Sequence, residues 1–381
     1  MQGKSTRVPI IITILLGVSL CCLAVCLVVF ASGAVIFNWR GSSESNSISV
    51  DQPTPNVIEP SPEAVLPTRE PKPSPASILG GKETLLTLQE MIIPINNPID
   101  LAERLAGKED IPETHPDPNA PYSVGDSQDF WVTNVDSNEN FQITSTLRYL
   151  GEHVYIWIED NVDFSILDLN DLGDTFDNEI YPTNREFFGS EWSPGVDGDS
   201  RIYIVYASGL GESLAGYYSS ADQLHPDAHE YSNAHEMFLI NSDNVYLWED
   251  YNYGTLAHEF QHMIHWYRDK NEETWLNEGF SMLAEFINDF DPGGFEFSYI
   301  RNPDLQLTDW GTQVGNNGPH YGASMLFTTY FLDRFGDDAT KALVAQDKNG
   351  MESIDIVLSE MAITDPITGH PITAEDFFAD W

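Results

Sequence analysis

Two histidines one helical turn apart constrain this chain more than any other feature. They are His258 and His262, in His258-Glu259-Phe260-Gln261-His262. Residues four apart on a helix lie one above the other on one face. Both imidazoles can then reach one metal ion, and zinc favours nitrogen donors in tetrahedral geometry. Glu259 points to one side of the pair, where it can take a proton from a metal-activated water. The flanks predict a helix: Leu256, Phe260, Met263 and Tyr267 recur at i, i+4, i+7, i+11. His258 stands about 200° from that stripe, so one face packs and the other carries the histidines.

A catalytic zinc usually takes three protein ligands, and the pair supplies two. An extended HExxHxxGxxH arrangement would need glycine at 265 and histidine at 268, but His265 and Arg268 stand there. His265 itself lies roughly 10 Å along the helix from His258, too far to share one ion, and is expected in the cleft or behind the ligands. The remaining candidate is Glu278, in Trp275-Leu276-Asn277-Glu278-Gly279-Phe280. Leu276, Phe280, Leu283 and Ile287 form a second helical stripe, with Glu278 and Glu285 opposite it. A short polar turn around 269–272 makes the two helices antiparallel neighbours, so Glu278 can swing against the histidines. Glu285 reads equally as a hydrogen-bond partner of a ligand histidine or as a solvated glutamate.

A histidine pair followed by a helix carrying WLNEGF resembles the gluzincin class of zinc metallopeptidases. More narrowly, AHEFQHMIHW, WLNEGFSMLAE and HYGASMLF resemble the hyicolysin-like family of secreted bacterial metallopeptidases, from about Tyr122 to the C-terminus. The resemblance implies His258, His262 and Glu278 as ligands of one catalytic Zn2+ and Glu259 as the catalytic carboxylate. It also implies a zincin-like α+β fold. That fold has a twisted mixed sheet whose edge strand lines the cleft, a metal-binding helix beneath it, and a helical C-terminal half.

The first 40 residues have another chemistry. After Lys4 and Arg7 the chain runs uncharged to Arg40, longer than the roughly 30 Å hydrocarbon core requires. It is expected to be a cytoplasmic tip and uncleaved transmembrane signal-anchor, with basic residues holding the N-terminus inside. Cleavage near Ala31-Ser32-Gly33 would instead give a secreted protein. All three cysteines, Cys21, Cys22 and Cys26, fall in this segment, so the remainder cannot build disulfides. Val25 is too large for a lipoprotein cleavage box before Cys26. Residues 41–79 carry eight prolines and read as a Pro/Ser-rich disordered linker. Residues 80–381 are left as the extracellular zinc metallopeptidase domain. The chain ends on Phe377-Phe378-Ala379-Asp380-Trp381, an apolar segment that suggests a truncated product.

Within 80–381 strands are expected at 130–132, 141–147, 154–158, 201–206 and 236–240, the last being the candidate cleft edge that pairs with extended substrate. Helices are expected at 164–188, 321–335, 337–346 and 351–361, with a Gly/Asn-rich loop at 311–319. The net charge is −43, and three of the 17 basic residues but none of the 60 acidic ones precede residue 41. So acidic a surface disfavours nucleic acid. Asp197-Gly198-Asp199 and the run 160–174 offer oxygen donors for structural Ca2+, but without the spacing of a defined calcium loop. A solvated acidic surface is the expected reading.

The expected activity is a membrane-tethered endopeptidase acting on peptide or protein substrates. Glu259 takes a proton from the activated water and passes it to the leaving amine. The developing oxyanion needs a further donor, and His320 and Tyr321 open the helix after the flexible loop. In the gluzincin aminopeptidases the tyrosine stands three residues before a Gly-Ala pair. Here Tyr321 directly precedes Gly322-Ala323, which leaves the choice between Tyr321 and His320 open. A zinc aminopeptidase is the second reading, although His235-Glu236-Met237-Phe238 lacks the GxMEN-type strand that holds a free amine. A non-catalytic surface binding module with a zinc site is the third. The intact Glu259 argues against it, since a structural site needs no base.

Overall fold

The computed structural model describes residues 81–87, 97–212, 214–310 and 317–381. The chain divides into two compact units, Met1–Thr87 and Leu88–Trp381. Of the first, 81–87 is an exposed helical segment. The expected anchor and linker lie outside the described residues. No helix among the described residues is long and apolar enough to cross a membrane.

The second unit opens with helix α1 (Pro98–Leu105), strands β1 (Ser127–Asn134), β2 (Glu139–Leu150) and β3 (Val154–Glu159), and helices α2 (Ile166–Thr175) and α3 (Tyr181–Phe188), the last two joined by a π turn. Strands β4 (Ile202–Ala207), β5 (Gly216–Tyr218) and β6 (Met237–Asn241) complete the sheet. Among the described residues, helices α4 (Asp250–Arg268), α5 (Thr274–Ile287), α6 (Phe295–Arg301), α7 (Gly318–Val344), α8 (Gly350–Glu360) and α9 (Ala374–Asp380) follow.

The strand order is β1-β2-β3-β4-β6-β5. β1–β2 and β2–β3 are antiparallel, β3–β4 and β4–β6 parallel, and β5 runs antiparallel to β6. The central strands read as unbroken apolar runs because both faces are covered. Ile156, Ile204, Phe238 and Ile240 face the helices, while Tyr155, Trp157, Tyr203 and Leu239 pack into a second core on the far face. Period-2 alternation of the pleat divides each strand between the two cores.

This arrangement corrects the expected cleft edge. Met237–Asn241 is an interior strand with all five residues buried, and the edge is the three-residue β5. So short a strand carries too few alternations to register as a period. A second correction concerns α4. Leu256, Phe260 and Met263 are fully buried, but Tyr267 is 47 % exposed and Ile264 takes its place in the core. The drift follows from 3.6 residues per turn.

The helical half packs closely. At Gly279 of α5, a Cβ would stand 2.7 Å from Thr328 and 3.0 Å from the Ser324 carbonyl of α7. Thr328 Oγ1 donates to the Gly279 carbonyl at 2.9 Å. At Gly322, a Cβ would collide with the Phe295 carbonyl of α6. These two glycines let α5, α6 and α7 approach with nothing between their backbones. Helix α7 begins at Gly318, earlier than expected, and bends at Gly336, where φ is 80°. α1, α6 and α9 are short helices that the sequence pattern does not announce.

Candidate metal centre

Helix α4 aims His258 and His262 toward α5, and their rings meet edge to face at 4.8 Å. Glu278, in the second turn of α5, brings Oε2 to 3.3 Å from His258 Nε2 and 3.4 Å from His262 Nε2. The three ligand atoms lie within 4.8 Å of one another. Glu278 Oε2 is buried and makes no hydrogen bond, and a buried carboxylate oxygen without a donor is costly. Two imidazoles and one carboxylate converging on a point are a donor set suited to zinc. The residues present fit that ion.

The opposite edge of each imidazole is held by the protein. His258 Nδ1 donates to Glu285 Oε1 at 2.8 Å. His262 Nδ1 stands 2.9 Å from Ser281 Oγ, which donates onward to Gln261 Oε1 at 2.5 Å. Asn277 Oδ1 lies 3.2 Å from the same Nδ1 and 3.0 Å from His265 Nδ1. With Nδ1 carrying the proton, each Nε2 turns its lone pair to the common point. Burial opposes a charge on His258, but Glu278 and Glu285 outweigh it and push the imidazole well above its usual range. A cation placed between the ligands takes over what that proton does.

Glu259 stands beside the ligands and is 7 % exposed. Burial raises its carboxyl above the usual value, while the flanking imidazoles pull it down. The Tyr218 backbone of β5 also favours its charged form. The cleft has two lobes along that strand. One, of 310 Å³, is lined by Gly216, His258, Glu259, Tyr251 and Tyr321. The other, of 270 Å³, is lined by Tyr218, His262, Trp266 and Glu278.

Tyr321, near the start of α7, has its ring 6.5 Å from that of His258. Burial, followed by Glu278 and Glu259, raises its phenol far above the ordinary tyrosine value, so the hydroxyl keeps its proton and remains a donor. His320 borders neither lobe and packs against Trp310 at 5.6 Å. His235 borders neither lobe. Its Nδ1 is 2.7 Å from Asp197, and it borders a separate cavity of 660 Å³. His265 is 1 % exposed, packed behind the ligands on Asn277.

Structural Ca2+, the lesser of the two readings of these acidic runs, is not supported. Among the described residues, no cluster of potential ligands includes Asp197, Asp199 or the acidic run 160–174. Asp199 instead accepts from Tyr155 and from the Arg201 backbone.

Sequence reasoning passed over Gly216, Tyr218 and Tyr251, for lack of a motif, and Ser281, whose role is visible only once α5 lies against α4.

No known protein-family profile matches the chain. It is similar to the neutral metalloprotease ShpI of Staphylococcus hyicus, with 26 % identity over 255 residues. The match covers 61 % of this chain and spans 57 % of that protein's length. Among solved structures, it is similar to the M1 zinc metallopeptidase of Deinococcus radiodurans, with 11 % identity, 68 % of this chain and 57 % of that one covered, and a TM-score of 0.33. A two-domain M1 zinc metallopeptidase bound to L-tryptophan matches with 10 % identity, 67 % and 60 % coverage, and a TM-score of 0.34.

Proposed function

We propose that this chain is a zinc-dependent peptidase that cuts within polypeptides. The observation that carries the reading is the convergence of His258, His262 and Glu278 on one point, with Glu259 beside it in a cleft. The similarity to a neutral metalloprotease supports the same chemistry. When bound, zinc supplies Lewis acidity, lowering the pKa of water and polarising a carbonyl. Glu259 takes the proton of the attacking water and delivers it to the leaving amine. Tyr321 donates a hydrogen bond from its hydroxyl to the oxyanion. β5 holds an extended substrate alongside by strand addition to the sheet edge.

The shape of the cleft favours internal cleavage over removal of an N-terminal residue. Gly216 borders one lobe and Tyr218 the other, so a peptide lying along β5 has room on both sides of Glu259. Peptides with a blocked amine decide between the two. An endopeptidase cleaves acetylated peptides at rates close to those of the free-amine forms and stops on chelation. Loss of activity on blocking would make the aminopeptidase reading correct. Residues 1–40 are proposed to anchor the chain in the cell membrane with residues 80–381 outside, on the strength of the uncharged run after Lys4 and Arg7.

A further inference from the structure

We propose that His265, Asp269 and Glu272 form a second metal site, behind the first, that takes a divalent cation of the zinc class. The potential ligand atoms of these three residues lie within 4.8 Å of one another. Donors around a single ion, bonded at about 2.0–2.5 Å, stand roughly 3–5 Å apart.

The stronger observation is what each residue does with its remaining atoms. His265 Nδ1 donates to Asn277 Oδ1 at 3.0 Å. Asp269 Oδ1 accepts from the Asn271 backbone at 3.2 Å. Glu272 Oε1 accepts from the Gly350 backbone at 2.8 Å and from Glu273 at 2.5 Å. Each side chain is thus fixed by one atom. Its other atom, His265 Nε2, Asp269 Oδ2 or Glu272 Oε2, is buried with no hydrogen-bond partner. His265 is 1 % and Asp269 7 % exposed. Three unsatisfied buried atoms would be a heavy cost, and one shared cation removes all three.

Neighbouring cations do not fill this role. Lys270 lies over the Trp266 ring at 4.6 Å, and no salt bridge among the described residues reaches Asp269 or Glu272. Burial lowers His265 to about 4, so its imidazole is neutral and able to ligate. Burial also raises Asp269, and lifts Glu272 to about 7, as expected of carboxylates awaiting a counter-charge. One imidazole and two carboxylates suit zinc better than calcium, which prefers six to eight oxygens. Asp269 and Glu272 line the 270 Å³ lobe that His262 and Glu278 also line, which gives an ion its entry path. Bound there, the ion would tie the end of α4 to the α4–α5 connection and, through Glu272, to Gly350 at the start of α8.

The test is zinc uptake by the metal-stripped full chain, followed by calorimetric titration and elemental analysis. The wild type should take one equivalent more than the Asp269→Asn/Glu272→Gln variant, and that added equivalent should raise Tm in the wild type alone. His262→Ala should also lose one equivalent, independently, so failure of the first site is distinguishable from failure of the second. Circular dichroism checks that each variant folds. If the double variant does not fold, the wild-type titration decides alone, since two ordered equivalents are expected. A wild type that stops at one equivalent, or a folded double variant that matches it, overturns the proposal.

Discussion

Glu285 does not reach the proposed metal position, yet its hydrogen bond to His258 Nδ1 decides which imidazole nitrogen faces that position. Ser281 does the same for His262. Both lie on the α5 face that carries Glu278, so one helix supplies the third ligand and orients the other two. Tyr321 acts on the reaction itself in this account. A donor that meets only the developing charge lowers kcat far more than it changes KM. Tyr321→Phe removes one hydroxyl and leaves the ring packing against Phe295 and Trp310. Its kcat should fall about 100- to 1,000-fold, with zinc content and Tm nearly unchanged, and steady-state kinetics beside elemental analysis reads both. A fall of less than about tenfold, well short of that range, removes Tyr321 from the donor role.

At the scale of elements, the sequence announced what is periodic. The stripes of Leu256, Phe260 and Met263 and of Leu276, Phe280 and Leu283 placed α4 and α5, and with them the histidines and Glu278. It missed what depends on contact. β5 is three residues long, and its position at the edge follows from backbone pairing with β6. The connection from β5 to β6 also hides a buried charge. Asp222 is 5 % exposed and accepts from the backbone and side chain of Asn233. Burial, the larger influence, raises its carboxyl to about 7 from 3.8. The folded state therefore binds a proton between those values that the unfolded chain releases. Its contribution to stability is fully present below the unfolded value and is lost as pH rises through 7. Asp222→Asn keeps an acceptor for Asn233 and has no proton to lose. Thermal melts should show the variant gaining on the wild type from pH 5 to pH 8, by roughly 2–4 °C for each kcal/mol removed. An equal difference at both pH values would show that Asp222 does not titrate in this window.

For the whole molecule, the proposed reading joins an acidic peptidase unit, a proline-rich stretch and an uncharged N-terminal run in one chain anchored at a membrane. Treating intact cells with protease should release the acidic unit by cutting within 41–79. Recovery of a mature soluble chain beginning near Ala34 would instead support a cleaved signal. The central claim concerns chemistry, and one substitution isolates it. Glu259→Gln is nearly isosteric and leaves His258, His262 and Glu278 in place, but glutamine cannot take a proton from water. Zinc content and peptide turnover, measured together on this variant and the wild type, test the claim directly. The account predicts unchanged zinc and a loss of turnover of about 100-fold or more. Near-normal turnover with zinc in place would contradict it.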